Sequence, residues 1–240
     1  MPLCYQPTML WLLVAGTLAA SVDAPVSGDL TPALSQEAAG DDAGALASLE
    51  RIIQSWPNEA LPRLEAARLR LKLGGDLDRV EQDLEVASVS APNNPRLHFL
   101  RGMLWEERGE LSRAASAYER AVFLRSTYED ARFRLGGVWA ALGDWLKAEL
   151  HYRLLARARP DWLQVRLQLI RVIEGQGRVA DAEKEWRQLR AEQPGNVLVT
   201  EQFARFYERT GRPKLAAQLR AELKPATPAK KMRPLRPSKR

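Results

Sequence analysis

Residues 135–162 read LGGVWAALGDWLKAELHYRLLARARPDW, two apolar helix-forming segments split at Gly143, with Pro160 after the second. A glycine just past a helix end takes the left-handed conformation at little cost. A proline after a helix blocks its continuation. The stretch therefore reads as a helical hairpin followed by a stop.

Working outward from Gly143, the same punctuation recurs: Gly75, Gly109, Gly143, Gly177 and Gly211 are spaced by 34 residues. A fixed period of this length marks stacked helical pairs. Units begin at Leu61, Pro95, Glu129, Leu163 and Val197, and other columns then align. Val80, Ala114, Ala148, Ala182 and Ala216 form a column of mostly small residues; Leu84, Tyr118, Tyr152 and Trp186 form a large one, which Arg220 breaks. Small residues where helices cross let two backbones approach, and the large residue a turn later fills the remaining groove. Pro92, Pro160 and Pro194 share the closing position of their units.

These columns resemble the tetratricopeptide repeat family, most closely through Leu135, Gly136, Trp139, Gly143, Ala148, Tyr152 and Pro160. Three positions depart from that pattern: Arg101 and Arg68 on first helices, the latter where a small residue is usual, and Ser126 in place of the proline. The resemblance implies an all-α fold, a right-handed superhelical solenoid of antiparallel helix pairs. Five units are expected, at 61–94, 95–128, 129–162, 163–196 and 197–223, within a solenoid running from 41 to 223. Ahead of them, residues 41–56 read as the second helix of a half-unit whose first helix is missing, and residues 25–40, rich in Pro, Ser, Ala and Gly, read as a flexible linker.

The 240-residue chain is 45% apolar and 28% charged, enough apolar material for a core between stacked helices. Its net charge of +6 is unevenly distributed. Residues 1–50 carry six acids and no Lys or Arg, residues 51–223 carry 29 basic and 24 acidic side chains, and residues 224–240 carry seven basic side chains and no acid. The basic balance thus belongs mostly to a tail, 224–240, whose four prolines and missing apolar period predict disorder. Three readings of that tail stand open: contact with anionic lipid headgroups, contact with other polyanions, or a solvated terminus. Its lack of aromatics argues against stacking on single-stranded nucleic acid, and no sequence-specific nucleic-acid partner is expected.

Residues 9–20, MLWLLVAGTLAA, are too short an apolar run to span a bilayer, and small residues follow at Ala19, Ala20, Ser21 and Ala24. That order predicts a signal peptide over 1–24 and an exported protein of the periplasm or cell envelope. The leading eight residues lack Lys and Arg. The alternative is an uncleaved N-terminus on an intracellular cargo chaperone or co-chaperone. The single cysteine, Cys4, precedes the apolar run, which speaks against lipidation there and against a disulfide framework.

Enzyme signatures are sparse. His98 and His151 lack the i, i+4 spacing of a helical metal pair. Gly175, Gly177 and Ala180 match a dinucleotide-binding string, but a helix precedes them where that site needs a strand. Glu106 and Glu107 read as a solvated helix face, and Trp105, Trp139, Trp145 and Trp186 as packing. No catalytic residue, metal or cofactor is expected, and the chain reads as a non-enzymatic adaptor or scaffold.

The family resemblance implies that the first helix of each unit lines a concave groove taking a peptide or helix from a partner protein. Carried onto this chain, the groove positions give Phe99, Met103, Phe133, Arg134, Gln168, Arg171 and Arg205 as candidate partner-binding residues. The rival reading of the apolar ones is that they fill the interior. Assembly of an envelope, pilus, motility or secretion system is the context that the leader and the repeats together suggest.

Overall fold

The computed structural model describes residues 29–223. Both the signal peptide expected over 1–24 and the basic tail over 224–240 lie outside them. Twelve helices follow one another, and no strand occurs among the described residues. They are α1 (Thr31–Ala38), α2 (Asp42–Ser55), α3 (Ala60–Lys72), α4 (Leu77–Ser90), α5 (Pro95–Glu107), α6 (Leu111–Leu124), α7 (Glu129–Ala141), α8 (Trp145–Ala158), α9 (Leu163–Gly175), α10 (Val179–Glu192), α11 (Val197–Arg209) and α12 (Pro213–Leu223). Within each compact unit, successive helices pack as antiparallel hairpins, an all-α repeat architecture. Two compact units can be distinguished, one ending at Asn93 and one beginning at Asn94.

The turn chemistry matches the sequence period with one shift. Gly40, Gly74, Gly109, Gly143, Gly177 and Gly211 all have positive φ, between 66° and 84°. In the hairpin of α3 and α4 the left-handed residue is therefore Gly74 and not Gly75. The N–H of Gly75 instead donates to Arg70 O at 2.8 Å, as that of Glu110 does to Trp105 O and that of Asp144 to Trp139 O. One extra residue thus sits in this turn. It moves α3 one place back in register, so the small residue of the repeat is Ala67, fully buried, and the apparent departure at Arg68 disappears.

Of the linker expected over 25–40, residues 25–28 lie outside the described residues; in the rest the expectation is corrected by α1, a short first helix that completes the pair with α2. Thr31 N–H is held by Asp29 Oδ1 at 2.9 Å, and Pro32 lies in the first turn, where its missing N–H costs nothing. Eight residues form no stable helix alone. Tertiary contacts hold this one: Ala33 is buried with Ala45, Leu49 and Ile53, Ser48 Oγ donates to Gln36 Oε1 at 2.7 Å, and the Arg68 guanidinium spans the Glu37 carboxylate. Between α3 and α4, buried Asp83 accepts from Arg63 Nη1 at 2.8 Å and from Arg70, whose other nitrogen reaches Glu50 on α2 at 2.7 Å.

In the C-terminal unit the core follows the columns. Tyr118 and Tyr152 are buried at equivalent places on α6 and α8, and each lies over a glycine of the preceding helix, Gly102 or Gly136. On α9 and α10 the pair becomes Ile170 and Trp186, both buried, and the Trp186 ring stacks on Phe203 with centroids 5.8 Å apart. Hairpins are further linked by a repeated ion pair. Arg178 reaches buried Glu149 at 3.0 Å, and Arg212 reaches Glu183 at 2.5 Å, each spanning 29 residues.

Candidate partner-binding face

The helices α5, α7, α9 and α11 carry the residues that sequence reasoning singled out, and the structure divides them into spent and available side chains. Phe99 is only 7% exposed; its ring meets Tyr118 at 5.7 Å and Tyr128 at 5.0 Å between centroids. An anchor for a partner needs accessible surface, so Phe99 is corrected to a packing residue. Phe133 repeats the arrangement, edge-on to Tyr152 at 5.6 Å and stacked on Trp162 at 5.3 Å, and remains half-buried. Each phenylalanine thus closes its own hairpin between the tyrosine of the second helix and the aromatic that ends the unit.

Arg134 is also engaged. Its Nη1 donates to Glu106 Oε2 at 3.1 Å, and the Tyr118 hydroxyl donates to the same oxygen. Burial pushes the Tyr118 phenol well above its ordinary range, with the Arg134 charge opposing and the Glu106 charge adding to the shift. Glu106, expected on a solvated face, is therefore a polar hub joining α5, α6 and α7. Glu174 has the same role two units later: it accepts from Trp186 Nε1 at 3.0 Å and from Arg209 Nη2 at 2.7 Å. Glu208 completes the series by accepting from Arg220. Sequence reading missed this pattern, although all three glutamates hold the same position of the repeat and their partners hold the large-residue position. The column was visible; its polar character was obscured by Tyr, Trp and Arg serving a single donor role.

At the end of the face, Glu201 accepts from Arg205 Nε at 3.3 Å and from Arg220 Nε and Nη2, both at 2.9 Å. The Arg220 hydrogen bonds above all hold the Glu201 carboxyl down at about 2. Arg205 is exposed but partly neutralised. Three candidates are left with no hydrogen bond or ion pair in the structure: Met103 and Gln168, each half-buried, and Arg171, which is exposed. Among the described residues no cluster of His, Cys, Asp and Glu is arranged to hold a metal ion, and no helix is long and apolar enough to cross a membrane. The chemistry on offer at this face is a cation, an amide and a thioether.

Comparison with known proteins places the chain in a family. Family matches to the tetratricopeptide repeat cover residues 33–59, 59–129 and 109–161. The chain is a tetratricopeptide-repeat protein. No curated protein sequence matches it. Several solved structures, a tetratricopeptide-repeat protein among them, share its fold at low identity. PilW, described as a widely conserved type IV pilus biogenesis factor, is 18% identical with a TM-score of 0.68, covering 84% of this chain and 93% of its own. MamA is 20% identical with a TM-score of 0.61, covering 69% and 90%. YrrB, described as having an unusual peptide-binding site, is 15% identical with a TM-score of 0.60, covering 73% and 90%. Tetratricopeptide repeats are protein-interaction modules, and this repeat protein is of that class.

Proposed function

We propose that this tetratricopeptide-repeat protein is a non-enzymatic scaffold that holds a peptide or helix of a partner protein on its first-helix face, in the assembly of an envelope, pilus, motility or secretion system. The observation that carries the reading is Arg171: it stands exposed on α9 without an ion pair, beside Gln168 and on the same face as Met103, while the arginines around it are spent on Glu106, Glu174 and Glu201. An unpaired cation among paired ones is available to a ligand carboxylate or carbonyl. Phe133, half-buried, contributes a ring edge, and Arg205 is released to a ligand if Glu201 stays with Arg220.

The envelope context rests on the apolar run at 9–20 with its small-residue flank. A pilus factor and a peptide-binding protein among the structural neighbours are compatible with it. The basic tail, 224–240, adds weak contact with an anionic membrane or polyanion.

Co-purification from the source cells tests the binding reading. Wild type retains a protein partner that Arg171→Glu/Arg205→Glu loses, both sites being exposed and so compatible with an intact fold. Equal recovery from the two proteins contradicts it.

A further inference from the structure

Helix α8 has two apolar faces. Ala148, Tyr152 and Leu155 point into the core of the C-terminal unit. At 100° per residue, Leu146, Leu150 and Leu154 lie on roughly the opposite side. They are 73%, 56% and 39% exposed. Scattered surface leucines need no explanation, but three in one i, i+4 row form a ridge of the kind that packs into the groove of another helix. The ridge ends at an open notch of about 560 Å³ between the turn before α8 and Gln176, lined by Leu142, Trp145 and Leu146.

Charge along this ridge is mainly positive: at its N-terminal end Asp144 lines the notch and pairs with Lys147 at 3.2 Å, and beyond it the exposed charges of α8 are arginines. Lys147 flanks it on one side and Arg153 on the other, and Arg157 stands in line with the leucines without an ion pair in the structure. The one acid of α8, Glu149, is 4% exposed and already holds Arg153, Arg178 and Gln176. His151 adds no negative charge.

We propose that the outer face of α8 is a second docking surface, separate from the first-helix face, and that its occupant is an acidic amphipathic helix of a partner protein. Leucines on such a helix interleave with Leu146, Leu150 and Leu154, and its carboxylates meet Arg153 and Arg157. Stacking of α8 on α8 of a second copy would set like charges opposite each other.

Photo-crosslinking from position 150 tests this. The full chain carrying a benzoylphenylalanine in place of Leu150 is irradiated in its source cells, and the attached peptide is sequenced. The expected product is a segment of another protein with apolar residues at i, i+4 spacing and flanking Asp or Glu. Its yield falls by about tenfold or more with Arg157→Glu, which breaks no ion pair of the fold, while circular dichroism shows an unchanged melting temperature. Attachment only to a second copy of the chain, only to lipid, or to nothing, overturns the proposal, as does a yield insensitive to the charge reversal.

Discussion

Gly102 and Tyr118 occupy one space: a Cβ built on Gly102 would stand 2.4 Å from Tyr118 Cε1. The neighbouring hairpin repeats the relationship at Gly136 and Tyr152 with 2.9 Å. Glycine inside a helix costs about 1 kcal/mol against alanine, so its presence at both places reflects the close approach of the tyrosines. Gly102→Ala is expected to destabilise the protein by about 1–3 kcal/mol net of the propensity gain, and Gly136→Ala by less. Gly137→Ala, whose Cβ meets only the Tyr152 hydroxyl at 3.4 Å, serves as the control and should leave stability unchanged or raised. Urea unfolding midpoints of the three variants check the order.

How far the fold could be read beforehand follows from the same features. The ten helices from α3 to α12 fall two by two, to within a residue, in the five units that the 34-residue glycine spacing predicts, because each hairpin turn needs a left-handed residue. The error at Gly75 came from the Gly74–Gly75 pair, either of which satisfies composition while only one fits the turn. With Gly74 chosen, Gly40 falls 34 residues earlier and reveals α1, which a Pro- and Ser-rich segment otherwise hides. The site was less legible. Position in the repeat placed Phe99, Phe133 and Arg134 on the first-helix face but said nothing of Tyr128, Trp162 and Glu106, which come from unit ends and neighbouring helices, engage Phe99 and Arg134, and leave Phe133 half-buried.

Asp83 holds the N-terminal unit together through Arg63 and Arg70 while only 1% exposed. Removing one partner of a buried ion pair leaves the other desolvated and unmatched. Asp83→Ala is expected to cost about 3 kcal/mol, and Asp83→Ala combined with Arg70→Met less than the single change. A double-mutant cycle by chemical denaturation measures both.

His151 gives the fold an acid-sensitive element. Burial first, and the charge of Arg132 second, hold its imidazole down at about 4, and its Nδ1 is buried without a hydrogen-bond partner. The unfolded chain takes up a proton near the ordinary value of about 6.5, so below that pH the unfolded state binds more protons. Stability is then lost as pH falls from about 6.5 towards 4, on the order of 2 kcal/mol at most for a half-buried ring. Comparing unfolding at pH 7 and pH 4.5, His151→Gln should show a smaller loss than wild type; equal losses would assign the acid sensitivity elsewhere.

Export predicts a mature N-terminus that begins after the apolar run, between about residues 20 and 25. N-terminal sequencing of protein recovered from its source cells reads this directly. A chain that still starts at Met1 favours the intracellular chaperone reading and would leave the partner-binding face to act there.

The central claim, that partners bind across the first-helix face, is tested most directly by the affinity of the purified chain for the partner it retains. Arg171 contributes an unpaired charge there, and Arg205 one shared with Glu201. Titration calorimetry should give a Kd weakened at least about tenfold, or 1.4 kcal/mol, in Arg171→Glu/Arg205→Glu, with the melting temperature held. A Kd equal to that of wild type would contradict the account.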